Sequence, residues 1–131
     1  MKLTIPFYLH KVGAGFPSPA TDYIEDDIDL NSHLITNAPA TFIIRVQGKS
    51  MTDVGIYDGD LLIVDKSLNP KNFSTVIANV HDELVVKNLV QERDKKFLTS
   101  GSKEFTDRIL INEDEDIFIW GVVTYVIHSV Y

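Results

Sequence analysis

Ile117-Phe118-Ile119-Trp120-Gly121-Val122-Val123-Thr124-Tyr125-Val126-Ile127 is apolar at odd and even positions alike. A strand built from it has two apolar faces, so it belongs in the middle of a sheet or beneath a partner. Working back toward the N-terminus, short β-branched and aromatic runs continue as far as Thr41, each bounded by turn residues. They predict strands at 41–47, 61–65, 75–80, 84–90, 96–99 and 108–111, besides 117–127 itself. Asp58-Gly59 and His81-Asp82 are the expected tight turns. Before Thr41, Asp29 precedes apolar residues at 30, 34 and 35, the pattern of a capped helical face one or two turns long. The expected fold is therefore mainly β, a compact multi-stranded domain with one short helix.

Val12-Gly13-Ala14-Gly15-Phe16-Pro17-Ser18-Pro19 interrupts any such pattern, because two glycines and two prolines in eight positions disfavour both helix and ladder. It reads as an exposed hinge. Residues 1–14 then form an extended N-terminal arm, disordered or docked on the domain or on a neighbour, and 15–131 form the folded unit. A chain of 131 residues with 44% hydrophobic content can bury one continuous core.

The balance of 12 Lys+Arg against 19 Asp+Glu gives a formal charge of −7. Phosphate backbones repel such a surface, so no direct DNA binding is expected. The absence of cysteine removes disulfides and thiolate chemistry, which fits a cytoplasmic protein. Pro6 breaks the N-terminal segment before a signal-peptide-length apolar run accumulates, and no run spans a bilayer. The four histidines lack metal-ligand spacing, so neither metal nor cofactor is expected. Asp53, Asp58, Asp60 and Asp65 do not complete an EF-hand loop, and Asn112-Glu113-Asp114-Glu115-Asp116 reads as a solvated loop.

Two residues bear on chemistry. Ser50, in Gln47-Gly48-Lys49-Ser50-Met51, follows a buried strand, and the glycine permits a sharp turn that presents the hydroxyl outward. Alone, this is either a nucleophile or an ordinary turn. Lys87 interrupts Leu84-Val85-Val86-Lys87-Asn88-Leu89-Val90 and shares a face with Val85 and Leu89. On an edge strand it would reach water and deter edge pairing. Buried, it would pay a desolvation penalty that favours the neutral amine, a usable base. Ala14-Gly15 is, by itself, a flexible linker.

Taken together, the hinge Val12-Gly13-Ala14-Gly15, the turn Gly48-Lys49-Ser50-Met51 with Asp58-Gly59-Asp60-Leu61-Leu62-Ile63-Val64-Asp65 after it, and Val86-Lys87-Asn88-Leu89 strongly resemble the LexA/UmuD family of self-cleaving proteins. The similarity covers roughly residues 12–127 and extends to spacing. Serine and lysine are 87 − 50 = 37 positions apart, and serine and hinge bond 50 − 14 = 36, as in the UmuD branch.

The resemblance implies a fold of the LexA/UmuD C-terminal type, with Ser50 as nucleophile and Lys87 as its uncharged base. It also implies an oxyanion hole from the backbone N–H groups of Lys49 and Ser50, and Ala14-Gly15 as the scissile bond, with Val12 and Gly13 docking beside it. Lys49 departs from the family pattern in side chain only. The LexA-type repressors carry a helix-turn-helix domain before the hinge, for which 14 residues are too few. A signal-peptidase-like Ser/Lys enzyme would need a membrane anchor.

The UmuD branch implies a homodimeric accessory subunit of an error-prone Y-family (UmuC-like) polymerase. It would be cut in the DNA-damage (SOS) response when a RecA–single-stranded DNA filament promotes self-cleavage, and would then serve translesion synthesis. The rival expectation is a regulatory module with little or no proteolysis that forms heterodimers with LexA-like repressors.

Overall fold

A computed structural model describes residues 4–8, 24–101 and 107–131. Its contacts divide the chain into two compact units, Met1–Thr36 and Asn37–Tyr131.

In the first unit, β1 (Thr4–Tyr8) pairs antiparallel with β2 (Ile24–Asp29), Thr4 opposite Asp29 and Phe7 opposite Asp26, with an irregularity between Phe7 and Tyr8. In a two-stranded ribbon both strands are edges, which is why Pro6 is tolerated in β1. The arm is thus paired with the chain just beyond the hinge, a strand the sequence does not announce because Ile24-Glu25-Asp26-Asp27-Ile28-Asp29 lacks two-residue alternation. Helix α1 (Leu30–Leu34) follows as expected. The Asp29 carboxylate caps it, accepting from Asn31 N at 3.2 Å and from Ser32 Oγ at 3.0 Å.

The second unit is one antiparallel sheet of seven strands: β3 (Thr41–Arg45), β4 (Leu61–Asp65), β5 (Thr75–Val80), β6 (Glu83–Glu92), β7 (Lys95–Thr99), β8 (Arg108–Leu110) and β9 (Ile117–Ile127). Their spatial order is β3-β4-β9-β5-β6-β7-β8. All seven match predicted strands, β4, β5 and β9 at both ends and the others to within two residues, and the fold is mainly β as expected. The last strand in the chain lies in the interior of the sheet, between β4 and β5, which is what its two apolar faces require. His81 and Asp82 both have positive φ, 50° and 68°, and close the β5–β6 hairpin in the mirror-image turn that suits strand twist.

Alternation sorts the core into two clusters. Val46, Met51, Ile56, Leu62, Val64 and Ile77 form one, and Val76, Ala78, Leu89, Leu98 and Ile117 form the other. Val86 packs on the first and its neighbour Val85 on the second. Among the described residues, no buried side-chain nitrogen or oxygen lacks a hydrogen-bond partner.

Gly121 marks the tightest point of the sheet. A Cβ there would lie 2.6 Å from Val64 Cγ1 and 3.4 Å from the Lys66 stem, and Val64 is wholly buried. Gly121→Ala is therefore expected to lower unfolding stability by about 1–3 kcal/mol, read from denaturant midpoints, because a packed valine has no room to yield.

Asp60, 4% exposed, joins the C-terminal residues to this frame. Its carboxylate accepts from Tyr57 N at 2.9 Å and from His128 Nδ1 at 2.6 Å. The Tyr57 backbone N–H, followed by His128, holds it below the ordinary carboxylate range despite burial. A depressed carboxyl stabilises the fold above its unfolded value, about 3.9, and that contribution disappears as pH falls through the folded value. Asp60→Asn should accordingly destabilise the protein at neutral pH, with the gap to the parent narrowing on acidification; chemical denaturation at neutral pH and at about pH 3 checks this.

Candidate active site

The serine is carried on a turn fixed at both ends. Beyond β3, Val46 N donates to Asp60 O and Gly59 N to Val46 O, each at 2.8 Å, which brings the chain back alongside the Asp58-Gly59 turn. Gly48 has φ 103°, a conformation suited to glycine, and its N–H donates to Asp58 Oδ1 at 2.8 Å. Two residues after Gly48 comes Ser50, half-buried, and then Met51, only 2% exposed in the core. A short 3-10 turn, Thr52–Val54, completes the loop. Among the described residues, the backbone N–H groups of Lys49 and Ser50 donate to no protein acceptor.

The lysine lies on β6, between β5 and β7, so the edge-strand alternative for Lys87 does not hold. Its side chain is 12% exposed. Val76 on β5 stands opposite it. Asn88 pairs with Thr99, and one step further along that register brings Ser100 opposite Lys87. Lys87 Nζ donates to Ser100 Oγ at 3.0 Å and lies 3.5 Å from Asp107 Oδ2, while Ser100 Oγ donates to Asp107 Oδ1 at 3.1 Å. Desolvation alone would push the Asp107 carboxyl up; the Lys87 charge and the Ser100 hydroxyl outweigh it and hold the carboxyl below its usual range.

Ser50 and Lys87 line one cleft of about 360 Å³. Its walls include Ile44, Val46, Met51 and Ile77, with Arg45 as a second cation. Among the described residues, the side-chain hydrogen bonds of Lys87 go to Ser100 and Asp107, and none joins it to Ser50. Gly101, next to Ser100, ties the two halves together: its N–H donates to Met51 Sδ at 3.1 Å and its carbonyl accepts from Asp53 N at 2.7 Å. The serine turn and the lysine's polar neighbours thus share one segment of chain. Val12, Gly13, Ala14 and Gly15 lie outside the described residues.

Other acidic residues hold turns together. Asp58 caps Gly48, Asp65 accepts from Ser67 N at 2.8 Å, and Asn112 caps a 3-10 turn, Glu113–Glu115, whose residues are exposed.

Fold and cleft together define a β-rich domain in which a serine and a lysine line one cleft. Residues 6–124 match the family described as Peptidase S24-like, and the chain belongs to that family. It is 45% identical over 124 residues to Protein ImpA of Salmonella typhimurium, covering 94% of this chain and 83% of that protein. It is 41% identical over 122 residues to Protein MucA of the same organism, covering 93% and 83%. A LexA repressor from Pseudomonas chlororaphis is 35% identical over 117 residues, 89% of this chain and 57% of the repressor. The resemblance to LexA/UmuD proteins is thereby a family relationship. Among the described residues, no helix is long and apolar enough to cross a membrane.

Proposed function

We propose that this chain is a UmuD-like self-cleaving accessory subunit of an error-prone polymerase in the DNA-damage response, cut between Ala14 and Gly15 by Ser50 and Lys87. The observation that carries this reading is that a turn-borne serine and a largely buried strand lysine, 37 positions apart in sequence, line one cleft.

In the reaction, neutral Lys87 takes the proton of Ser50 Oγ as the oxygen adds to the Ala14 carbonyl carbon. The resulting oxyanion is met by the N–H groups of Lys49 and Ser50, which donate to no protein acceptor among the described residues. Collapse breaks the Ala14–Gly15 bond, and the lysine passes its proton to the departing Gly15 amine. Water then releases residues 1–14 from the serine. Val12 and Gly13 dock beside the nucleophile and align the bond. Because the substrate is tethered or supplied within a homodimer, much of the entropic cost of bringing the groups together is already met, so a modest site suffices for one cut.

Cytoplasmic function, a UmuC-like Y-family partner and activation by a RecA–single-stranded DNA filament belong to the same reading. Incubation of the full chain with such a filament should convert it to a product of 131 − 14 = 117 residues, which should then co-purify with a polymerase subunit. Persistence at full length together with co-purification of a LexA-like repressor would favour a regulatory module instead.

A further inference from the structure

The contacts of Lys87 are built for its charged form. The single Ser100 hydroxyl proton is committed to Asp107, so the oxygen offers the lysine only lone pairs, and the carboxylate adds a negative charge 3.5 Å away. Val76, across on β5, is apolar, and Arg45 in the cleft is itself cationic, with its guanidinium donating to Gly59 O at 3.1 Å. Among the described residues, Asp107 is therefore the carboxylate that favours an ammonium at this position, and it approaches from the segment leading into β8.

A general base must begin the reaction without that proton. We propose that Asp107, oriented by Ser100, is a restraining counter-ion that holds Lys87 as an ammonium in the resting protein, so that self-cleavage requires this clasp to open or lose its charge. The proposal rests on the Ser50/Lys87 reading for its consequence in cleavage, and on contacts outside the dyad for its structure. Neither Ser100 nor Asp107 bonds or reacts with substrate in this scheme; they are positioning residues acting through Lys87.

The Asp107 side chain is 53% exposed, so solvent screens the pair and its effect is modest. Asp107→Asn removes the charge with little change of shape. Activator-free cleavage of the full chain by this variant should be about fivefold faster on the rising part of the pH profile, and the rise should begin at lower pH. Asp107→Glu keeps the charge and should stay within about twofold of the parent.

A second readout does not depend on cleavage. In full-length protein carrying Ser50→Ala and carbon-13-labelled lysine, the Lys87 resonance should titrate at lower pH when Asp107→Asn is added. Titration at the same pH in both backgrounds, or slower cleavage by Asp107→Asn, would overturn the clasp. A shifted resonance together with no self-cleavage by the chain that retains Ser50, with or without Asp107→Asn, would uphold the clasp and refute the proposed protease function.

Discussion

Ser50→Ala is expected to abolish self-cleavage while leaving the fold unchanged. The side chain is half-buried on a turn whose geometry depends on its neighbours: Gly48 with φ 103° tied to Asp58, and Met51 sunk in the core and bonded to Gly101. Removing one hydroxyl disturbs none of these contacts, so the loss should be chemical. Deleting a nucleophile that works as a unit with its base costs about 10⁴-fold or more, because the covalent route is lost entirely. The two measurements are the rate of product formation on a gel and the denaturant midpoint. The first should fall to background, and the second should stay within about 0.5 kcal/mol of the parent. Cleavage at a normal rate would remove Ser50 from the mechanism.

Lys87→Arg should be equally inactive, and for a more specific reason. A guanidinium carries the same charge and remains able to pair with Asp107 and donate to Ser100, so the ion pair around the site is preserved. It does not deprotonate in proteins, however, and cannot accept the Ser50 proton. A Lys87→Arg protein that folds, keeps its stability and fails to cut itself separates basicity from charge. One that cuts at the parental rate would show that position 87 serves electrostatically and that the base lies elsewhere. Lys87→Ala should also be inactive, and with its charge gone Asp107 should titrate nearer the ordinary carboxylate value.

Much of this architecture is legible in local pattern. The seven strands of the second unit are announced by β-branched runs, the β5–β6 turn by His81-Asp82, and the helix by Asp29 and its spacing. The presentation of Ser50 follows from Gly48, whose positive φ is the reason a glycine stands there. What local pattern does not reveal is which strands lie at the edges. β9, last in the chain, inserts between β4 and β5, and β7 and β8 extend the sheet beyond β6. Only that order turns Lys87 from a candidate edge lysine into an interior one.

The β1–β2 ribbon escaped for a related reason: pairing between 4–8 and 24–29 overrides the weak strand character of an acidic segment. Ser100 was within reach of the sequence. In the β6–β7 hairpin paired residues sum to 187, as in Asn88 and Thr99, and 87 + 100 gives the same sum. Asp107 was not, because its approach depends on how the chain returns from β7 into β8.

Whether Lys87 serves as the base for Ser50 in cutting one bond of its own chain is decided by intact-mass and N-terminal analysis of full-length protein held at mildly alkaline pH without any activator. The parent should convert to a species beginning at Gly15, faster as pH rises, with no conversion in Ser50→Ala or Lys87→Arg. Cleavage at another bond, or a rate indifferent to pH and to substitution of Lys87, would contradict it.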